Sequence, residues 1–341
     1  MLPPFVWNDD CLLHQPKSEI WVGERTPATE LPARAQAIRE ALVAAGAEEV
    51  AAEPHDDEAL FAVHDPALVE FLRTAWEEWS NADLPSERVV PYIFARAELT
   101  SGRPPATPAA VSARPGLFAY DTMTLIGPGT WEAARGAADA ALTAVDLVAD
   151  GAPLAYACTR PPGHHVTRSA YGGSCYLNHA AIAAAALISH VGLVAVVDVD
   201  AHHGNGTQEL FRGRRDVLTA SVHVDPGAGW FPHFLGFATE SDSSNLNLPL
   251  APGTGDDEWL AAVRRAAAFV APARALVVAL GVDAAAGDPE SPLEVTAAAY
   301  CEAGRILAEL DLPTVVVQEG GYDLETIGSL VLETLTGLAT V

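Results

Sequence analysis

Carboxylate, imidazole and glycine crowd together in Asp198-Val199-Asp200-Ala201-His202-His203-Gly204-Asn205-Gly206, directly after the apolar run Leu193 to Val197. Such a run reads as a buried strand, and the loop at a strand's C-terminal end is where open α/β sheets place their chemistry. Asp200 and His202 can turn the same way and offer one oxygen and one nitrogen to a metal. That pair suits zinc, which at a catalytic site takes a third protein ligand and keeps one position open for water.

Other loops supply what the pair lacks. Arg160-Pro161-Pro162-Gly163-His164-His165 follows a predicted strand at Leu154 to Cys158, and Ser221-Val222-His223 follows Val217 to Ala220. Val282-Asp283 follows Ala275 to Gly281, and Glu319-Gly320-Gly321-Tyr322 follows Pro313 to Gln318. In a parallel sheet all these loops share one edge. Asp283 is the natural third ligand, with a helix N-cap as its other reading. Two carboxylates and a neutral imidazole would offset most of a Zn²⁺ charge and leave room for water or a substrate carbonyl. His164 and His165 suit general acid and base work near neutral pH, unless they are an ordinary pair of loop histidines. Asp198 can take an N–H from one and raise its basicity, while Asn205 can hold the other without adding charge, so that the roles separate. The Tyr322 hydroxyl can donate to the oxyanion of a tetrahedral intermediate, the other reading being a packed tyrosine.

Alternating elements position these loops. Helical spacing runs over Pro32 to Gly46, Glu58 to Trp79 (interrupted at Asp65-Pro66), Thr130 to Ala149, Asn178 to Ser189, Asp256 to Val270, Val295 to Leu310 and Leu324 to Leu338. Between the later helices lie continuous apolar runs, including Leu193 to Val199 and Val217 to His223, which argue for a sheet covered on both faces. The expectation is an α/β fold: a single large domain, residues 1–341, with a central, mostly parallel sheet flanked by helices. Asn81 to Pro115 departs from the pattern, with Pro85, Pro91, Pro104, Pro105, Pro108 and Pro115 and little periodicity, and reads as an insertion loop.

Composition narrows the partners. The chain of 341 residues is 50% hydrophobic and carries a net charge of −26, from 19 basic and 45 acidic residues. A face for phosphate binding needs basic residues, so nucleic acid is excluded as a partner. The charge is compatible with a cationic substrate, and equally with an acidic, soluble enzyme. Cys11, Cys158, Cys175 and Cys301 form no C-x-x-C pair, which fits a reducing, cytoplasmic setting. Met1 to Asp10 lacks the features of a signal peptide. The longest apolar stretch, Ala180 to Val199, is broken by Ser189, His190 and Gly192, so no membrane span is expected.

The segments RPPGHH, DVDAHHGNGTQ, LGVD and EGGY, in this order, resemble the zinc-dependent histone deacetylase superfamily, the arginase–deacetylase fold, from about Ala119 onward. The likeness is greatest to the bacterial acetylpolyamine amidohydrolase branch, through Thr130 to Ala134, Phe231 to Phe237 and Asn245 to Pro249. Ile20-Trp21-Val22-Gly23, Val63-His64-Asp65 and the proline-rich insertion carry it more weakly into the N-terminal part. The resemblance implies Asp200, His202 and Asp283 as ligands of zinc, with iron(II) the alternative. It makes His164 the histidine paired with Asp198, His165 backed by Asn205 the general base, and Tyr322 the transition-state hydroxyl. Gly173 would offer its carbonyl to the substrate amide and Phe231 would form a tunnel wall. A structural potassium ion would use Asp198, Ser221 and nearby carbonyls. A homodimer through the insertion is also implied.

Departures from the branch bear on the substrate. Ser174 stands where an aromatic wall is usual, which would widen the tunnel and remove stacking. Met123 and, by alignment, Ser112 stand where the branch carries acids that read a distal cation, and Asp121 is close enough to compensate. The reading is a metal-dependent amidohydrolase that removes an acyl, by default acetyl, group from an amine such as a polyamine or related small molecule. The alternatives are an acetyl-lysine protein deacetylase, a hydrolase of bulkier acyl-amines, and a non-catalytic binding or sensor protein. A dinuclear ureohydrolase is disfavoured because Gly204 and Gly281 stand where extra carboxylates would be needed.

Overall fold

The computed structural model describes residues 1–340. Its strands are β1 (Phe5–Trp7), β2 (Ser18–Trp21), β3 (Glu24–Pro27), β4 (Glu49–Ala51), β5 (Leu154–Ala157), β6 (Val194–Asp198), β7 (Val217–Val224), β8 (Asn245–Leu250), β9 (Ala275–Leu280) and β10 (Thr314–Gln318). Eight of them form one sheet in the order β4-β1-β5-β10-β9-β6-β7-β8, and every neighbouring pair is parallel. β2 and β3 form a separate antiparallel hairpin, with Ser18 opposite Pro27 and Trp21 opposite Glu24.

All residues of β5, β6, β9 and β10 are buried. A strand covered on both faces has no solvent side to require polar residues, which is why these segments are apolar throughout. The twofold alternation appears instead in which core each side chain joins. Leu276, Val278 and Leu280 of β9 enter one cluster, and Ala275, Val277 and Ala279 enter the other. Helices Pro32–Ala44, Asp256–Val270, Ala297–Ala308 and Ile327–Leu338 cover the first face. Helices Pro66–Ser80, Thr130–Ala149 and His179–Val191 cover the second. Thr130–Ala149 buries Ala134, Ala138, Ala141 and Val145, a helical stripe whose small side chains let it lie close to the sheet. On the other face Trp259 is wholly buried with its ring centroid 5.1 Å from that of Tyr300. Truncating such a side chain costs about 3–5 kcal/mol.

The register brings the strand ends level. Val317 of β10 lies beside Ala157 of β5 and Ala279 of β9, and Asp198 of β6 lies beside Ala279 and Ser221. The loops after β5, β10, β9 and β6 therefore leave from four consecutive positions at the middle of the sheet.

Several sequence expectations change. Of the two readings of Ser221 and His223, as part of a run from Val217 to His223 and as a loop after Ala220, the first holds: β7 continues to Val224, because β8 pairs along it as far as Val224↔Leu250. β1, β4 and β8 were not expected, and β1 sits inside the sheet between β4 and β5. The insertion at 81–115 contains short turns of helix at Ala97–Thr100 and Val111–Ala113. It is tied to the body by Arg114 paired with Glu78 and by Val89 bridged to Ile126. Cys11, Cys158, Cys175 and Cys301 are free and buried. Among the described residues no helix is long and apolar enough to cross a membrane.

Candidate active site

Asp200 and His202, from the loop after β6, meet Asp283, from the loop after β9. His202 Nδ1 lies 3.2 Å from Asp200 Oδ1 and 3.0 Å from Asp283 Oδ2. Backbone N–H groups fix the rest of the two carboxylates. Asp200 Oδ1 accepts from His202 N at 2.8 Å, Asp200 Oδ2 from Gly320 N at 2.7 Å, and Asp283 Oδ1 from Ala201 N at 2.8 Å. Bonds of about 2.0–2.1 Å in a tetrahedral zinc site place neighbouring ligand atoms about 3.3 Å apart, so this donor set fits such an ion. Its charge balance fits as well. Burial, and next the charge of Asp200, raise the Asp283 carboxyl above its usual range. A cation between the two carboxylates would relieve that repulsion.

The cradle leaves no room for larger residues. A Cβ on Gly281 would lie 2.1 Å from Asp200 Oδ2, and one on Gly204 would lie 2.2 Å from Asp198 Oδ2. The carboxylates of a dinuclear site cannot stand at these two positions. A second buried group, His164, Cys175 and Glu319, also brings potential ligand atoms together. Within it Glu319 Oε2 accepts from Gly163 N at 2.6 Å and His164 N at 3.1 Å, which pins the β5 loop to the β10 loop, while Glu319 Oε1 is buried without a hydrogen-bond partner.

His164 Nδ1 lies 2.9 Å from Asp198 Oδ2, and His165 Nδ1 lies 2.7 Å from Asn205 Oδ1. The two rings are 4.1 Å apart. Burial works against a charge on His164, but Asp198, then Asp200 and Glu319, overcome it and lift its pKa to about 10. For His165 burial, and next the charges of His164 and His202, outweigh the opposing Asp200 carboxylate and the Asn205 hydrogen bond, so its pKa falls well below the usual value. Adjacent imidazoles thus favour opposite protonation states.

Tyr322 is positioned by residues that sequence reasoning missed. Its N–H donates to Asp288 Oδ2 at 2.7 Å, and the Arg34 guanidinium lies 4.5 Å from its ring centroid. Arg34 also donates to Gly321 O at 2.5 Å, Glu319 O at 2.6 Å and Glu30 Oε1 at 2.7 Å. The available signal was a charge on the apolar face of Pro32–Ala44, beside Ala35, Ile38 and Leu42. Burial raises the Tyr322 hydroxyl well above its usual pKa, with Arg34 opposing, so it is a proton donor at neutral pH.

A cavity of about 540 Å³ opens onto His165, His202 and Tyr322. Gly173, Ser174, Met123 and Phe231 line it. The Phe231 ring meets His165 edge-on at 4.7 Å and stacks on Tyr120 at 6.4 Å. Gly173 has φ +61°, and a Cβ there would lie 2.4 Å from His165 Cδ2. Ser174 shares the left-handed backbone, with φ 61°, and its N–H donates to Thr124 Oγ1 at 2.8 Å.

One expectation fails here. Asp121 does not face the cavity: it accepts from Met123 N at 3.0 Å, Thr124 N at 2.9 Å, Thr124 Oγ1 at 3.1 Å and Gly173 N at 2.6 Å, so it shapes the wall and is spent doing so. Ser112 lies in the turn Val111–Ala113 of the insertion, away from the residues that line the cavity of its own chain. The sequence reading missed the hairpin residues Glu19, Trp21, Thr26 and Thr29, and also Trp230, His233 and Glu290, all of which line it. Asp198 and Ser221 face each other across β6 and β7 and border a separate small void of about 10 Å³.

The sequence profile of the family described as "Histone deacetylase domain" matches residues 28–338. The acetylpolyamine amidohydrolase of Mycoplana ramosa is 39% identical over 345 residues, covering 98% of this chain and 99% of that protein. Acetylpolyamine amidohydrolase 1 of Pseudomonas aeruginosa is 40% identical over 342 residues, covering 97% of each. The crystal structure of an acetylpolyamine aminohydrolase from Burkholderia pseudomallei superposes with a TM-score of 0.93 at 35% identity, covering 99% of both chains. The chain belongs to the histone deacetylase family and is a hydrolytic, metal-dependent deacetylase.

Proposed function

We propose that this enzyme, acting as one domain, removes the acetyl group from an acetylated amine of the polyamine class, with one zinc ion held by Asp200, His202 and Asp283. The observation that carries the reading is the convergence of these three side chains with His165 and Tyr322 at one end of the cavity. The related proteins named for acetylpolyamines support the choice of substrate. Iron(II) is the alternative ion for the same donors.

The ion supplies Lewis-acid polarisation of the amide carbonyl and makes water more acidic. The side chains do the rest. Asn205 Oδ1 accepts a hydrogen bond from His165 Nδ1–H, which leaves Nε2 with its lone pair to take a proton from the attacking water. The Tyr322 hydroxyl donates to the oxyanion as it develops. Gly173 O accepts the substrate N–H, and Phe231 packs against the substrate's methylenes. The proton on His165 Nε2 then passes to the departing amine nitrogen as the C–N bond breaks. His164, paired with Asp198, stays charged and stabilises the negative charge that accumulates between water and carbonyl.

Asp198 and Ser221 are the side chains we assign to a structural potassium ion. We further assign the insertion at 81–115, with Tyr92 and Leu99 exposed, to a homodimer interface, and place the enzyme in the cytoplasm, which the free cysteines support. No nucleic acid or membrane partner is assigned.

Steady-state kcat/KM on acetylputrescine, acetylspermidine, an acetyl-lysine peptide and a bulky aromatic acyl-amine, with metal content measured alongside, tests the reading. Preference for the acetylpolyamines is expected. Preference for the bulky acyl-amine would favour the second reading, which rests on the small Ser174 and uncharged Met123 in the wall. Absence of hydrolysis across the panel with metal bound would overturn both.

A further inference from the structure

The loop that carries Phe231 has few hydrogen bonds to the body of the protein. Among the described residues the backbone hydrogen bonds of 230–235 stay within the segment, His233 N donating to Trp230 O at 2.9 Å and Phe234 N to Pro232 O at 2.7 Å. His233, Phe234 and Leu235 are exposed. Anchorage comes at Gly236 and Phe237, whose N–H groups both donate to Glu240 Oε1 at 3.1 Å. Gly236 O accepts from His223 Nε2 at 2.8 Å, and Phe237 O from Asn247 Nδ2 at 3.3 Å. Only glycine allows this approach: Gly236 has φ +103°, and a Cβ there would lie 2.8 Å from His203 Cγ and 2.9 Å from His223 Nε2.

Glu240 is fixed in turn by Gln208, whose Nε2 donates to Glu240 Oε2 at 2.7 Å. A cap for the short turn Ala238–Glu240 would need the Phe237 N–H alone, so the bonds to Gly236 and Gln208 go beyond it. The partners of Gln208 leave its amide one orientation. A carboxylate only accepts, so the NH2 end faces Glu240. The carbonyl end then takes donors, from Asn247 Nδ2 at 2.8 Å, Asn245 Nδ2 at 2.9 Å and His203 Nε2 at 3.1 Å. Gln208 lies on helix Asn205–Phe211, three positions after Asn205, whose Oδ1 holds His165 Nδ1 at 2.7 Å. The Phe231 ring meets that same imidazole edge-on at 4.7 Å. One short helix thus reaches His165 by two routes: directly through Asn205, and through Gln208, Glu240 and the loop that carries Phe231.

We propose that Gln208, acting through Glu240, is a positioning residue that keeps the Phe231 wall set against His165. The proposal rests on the reading above, in which Phe231 packs on the substrate beside the base. The helix sets base and wall in one frame, so the width of the cavity is fixed by a network that never touches the substrate.

Gln208→Glu sets a carboxylate against Glu240, and Glu240→Gln sets two amide NH2 groups face to face, so each breaks the link. Combining the two changes exchanges the roles and remakes it: the amide donates to the carboxylate, and its oxygen still accepts from Gly236 and Phe237. Hydrogen–deuterium exchange over residues 229–237, which needs no substrate, should be faster in each single variant and return to the wild-type rate in the combined one. Unchanged exchange over β9 in the same samples separates this from general unfolding. With acetylputrescine each single variant should raise KM by about tenfold, the effect of losing a hydrogen bond to a charged group, with kcat little changed, and the combined variant should restore KM. In a Phe231→Ala background, Gln208→Glu should leave KM unchanged, because the wall it positions is gone. A KM that rises as much in that background as in the wild type overturns the proposal. So does a loss confined to kcat, or loop exchange that the single variants leave unchanged. A wild type that hydrolyses no acylated amine overturns the functional reading, and the exchange rates then still decide whether Gln208 anchors the loop.

Discussion

Asp200 and Asp283 are each gripped by backbone N–H groups from neighbouring loops, whereas of the two glutamates on the same cavity Glu19 accepts a single long hydrogen bond, from Thr29 N, and the Glu290 side chain accepts none among the described residues. The first pair grows from strand ends at the middle of a fully buried sheet. The second stands on a two-stranded hairpin and a loop, where neighbours constrain the side chains little. The contrast teaches how chemistry and recognition divide within one pocket. The reacting end is held by many mutually dependent contacts, so a single change there has large effects. The recognising end is held by few, so it can change its charge without disturbing the sheet.

The largest effect should come from His165→Ala, which removes the proposed base but no metal ligand. Turnover is expected to fall about 10²–10⁴-fold with metal content retained. Near-normal single-turnover rates would take His165 out of that role and break the comparison at its strongest point. Gly281→Ala comes next. The added methyl would lie 2.1 Å from Asp200 Oδ2, so the carboxylate must shift. Metal affinity, followed by competition with a chelator, should weaken roughly 10–100-fold, the usual effect of disturbing a ligand's support.

At the other end of the pocket, Ser174→Phe should cost bulky acyl-amines roughly tenfold more rate than slender ones, as overpacking a cavity wall does. The left-handed backbone at Ser174, φ 61°, should add a modest fall in melting temperature. Equal losses for bulky and slender substrates would mean that this side chain does not face the acyl group. The smallest effect is in pH. Burial, and next Glu290, raise Glu19 to about 7, with Glu30 and Asp121 adding to its field and the Thr29 N–H opposing it. Only the ionised carboxylate attracts an ammonium, so the preference for acetylputrescine over the neutral N-butylacetamide should rise a few-fold from about pH 6 to 8. The neutral substrate cancels the titration of the cavity histidines. Glu19→Gln should flatten the rise, and a flat wild-type profile would show that Glu19 plays no part.

Much of the sheet was legible because buried parallel strands have to be apolar. Leu154 to Cys158, Leu193 to Val199, Ala275 to Gly281 and Pro313 to Gln318 each became a strand within a residue or two at either end. β1 was missed because three residues, Phe5–Trp7, carry no periodicity to detect. β8 was missed because its alternation places asparagine inward: Asn245 and Asn247 are buried, and both donate to Gln208 Oε1, at 2.9 and 2.8 Å. Asp121 was misjudged because nearness in sequence to Met123 says nothing of direction. Its oxygens turn inward to four donors.

The sequence by itself determined the alternating α/β order, the family resemblance and the candidates Asp200, His202, Asp283, His164, His165 and Tyr322. These are local matters, since each residue lies within a few positions of an apolar run that has to become a strand. Only the tertiary structure decided that Arg34 lies over Tyr322, 288 positions away, and that Glu19 and Glu290 share one cavity wall. Such pairs are set by the order of strands in the sheet and by where the hairpin folds back. That order follows from packing of the whole chain, so that even where a residue is marked as unusual, as Arg34 is by its place on an apolar helix face, the sequence around it does not say which distant residue it meets.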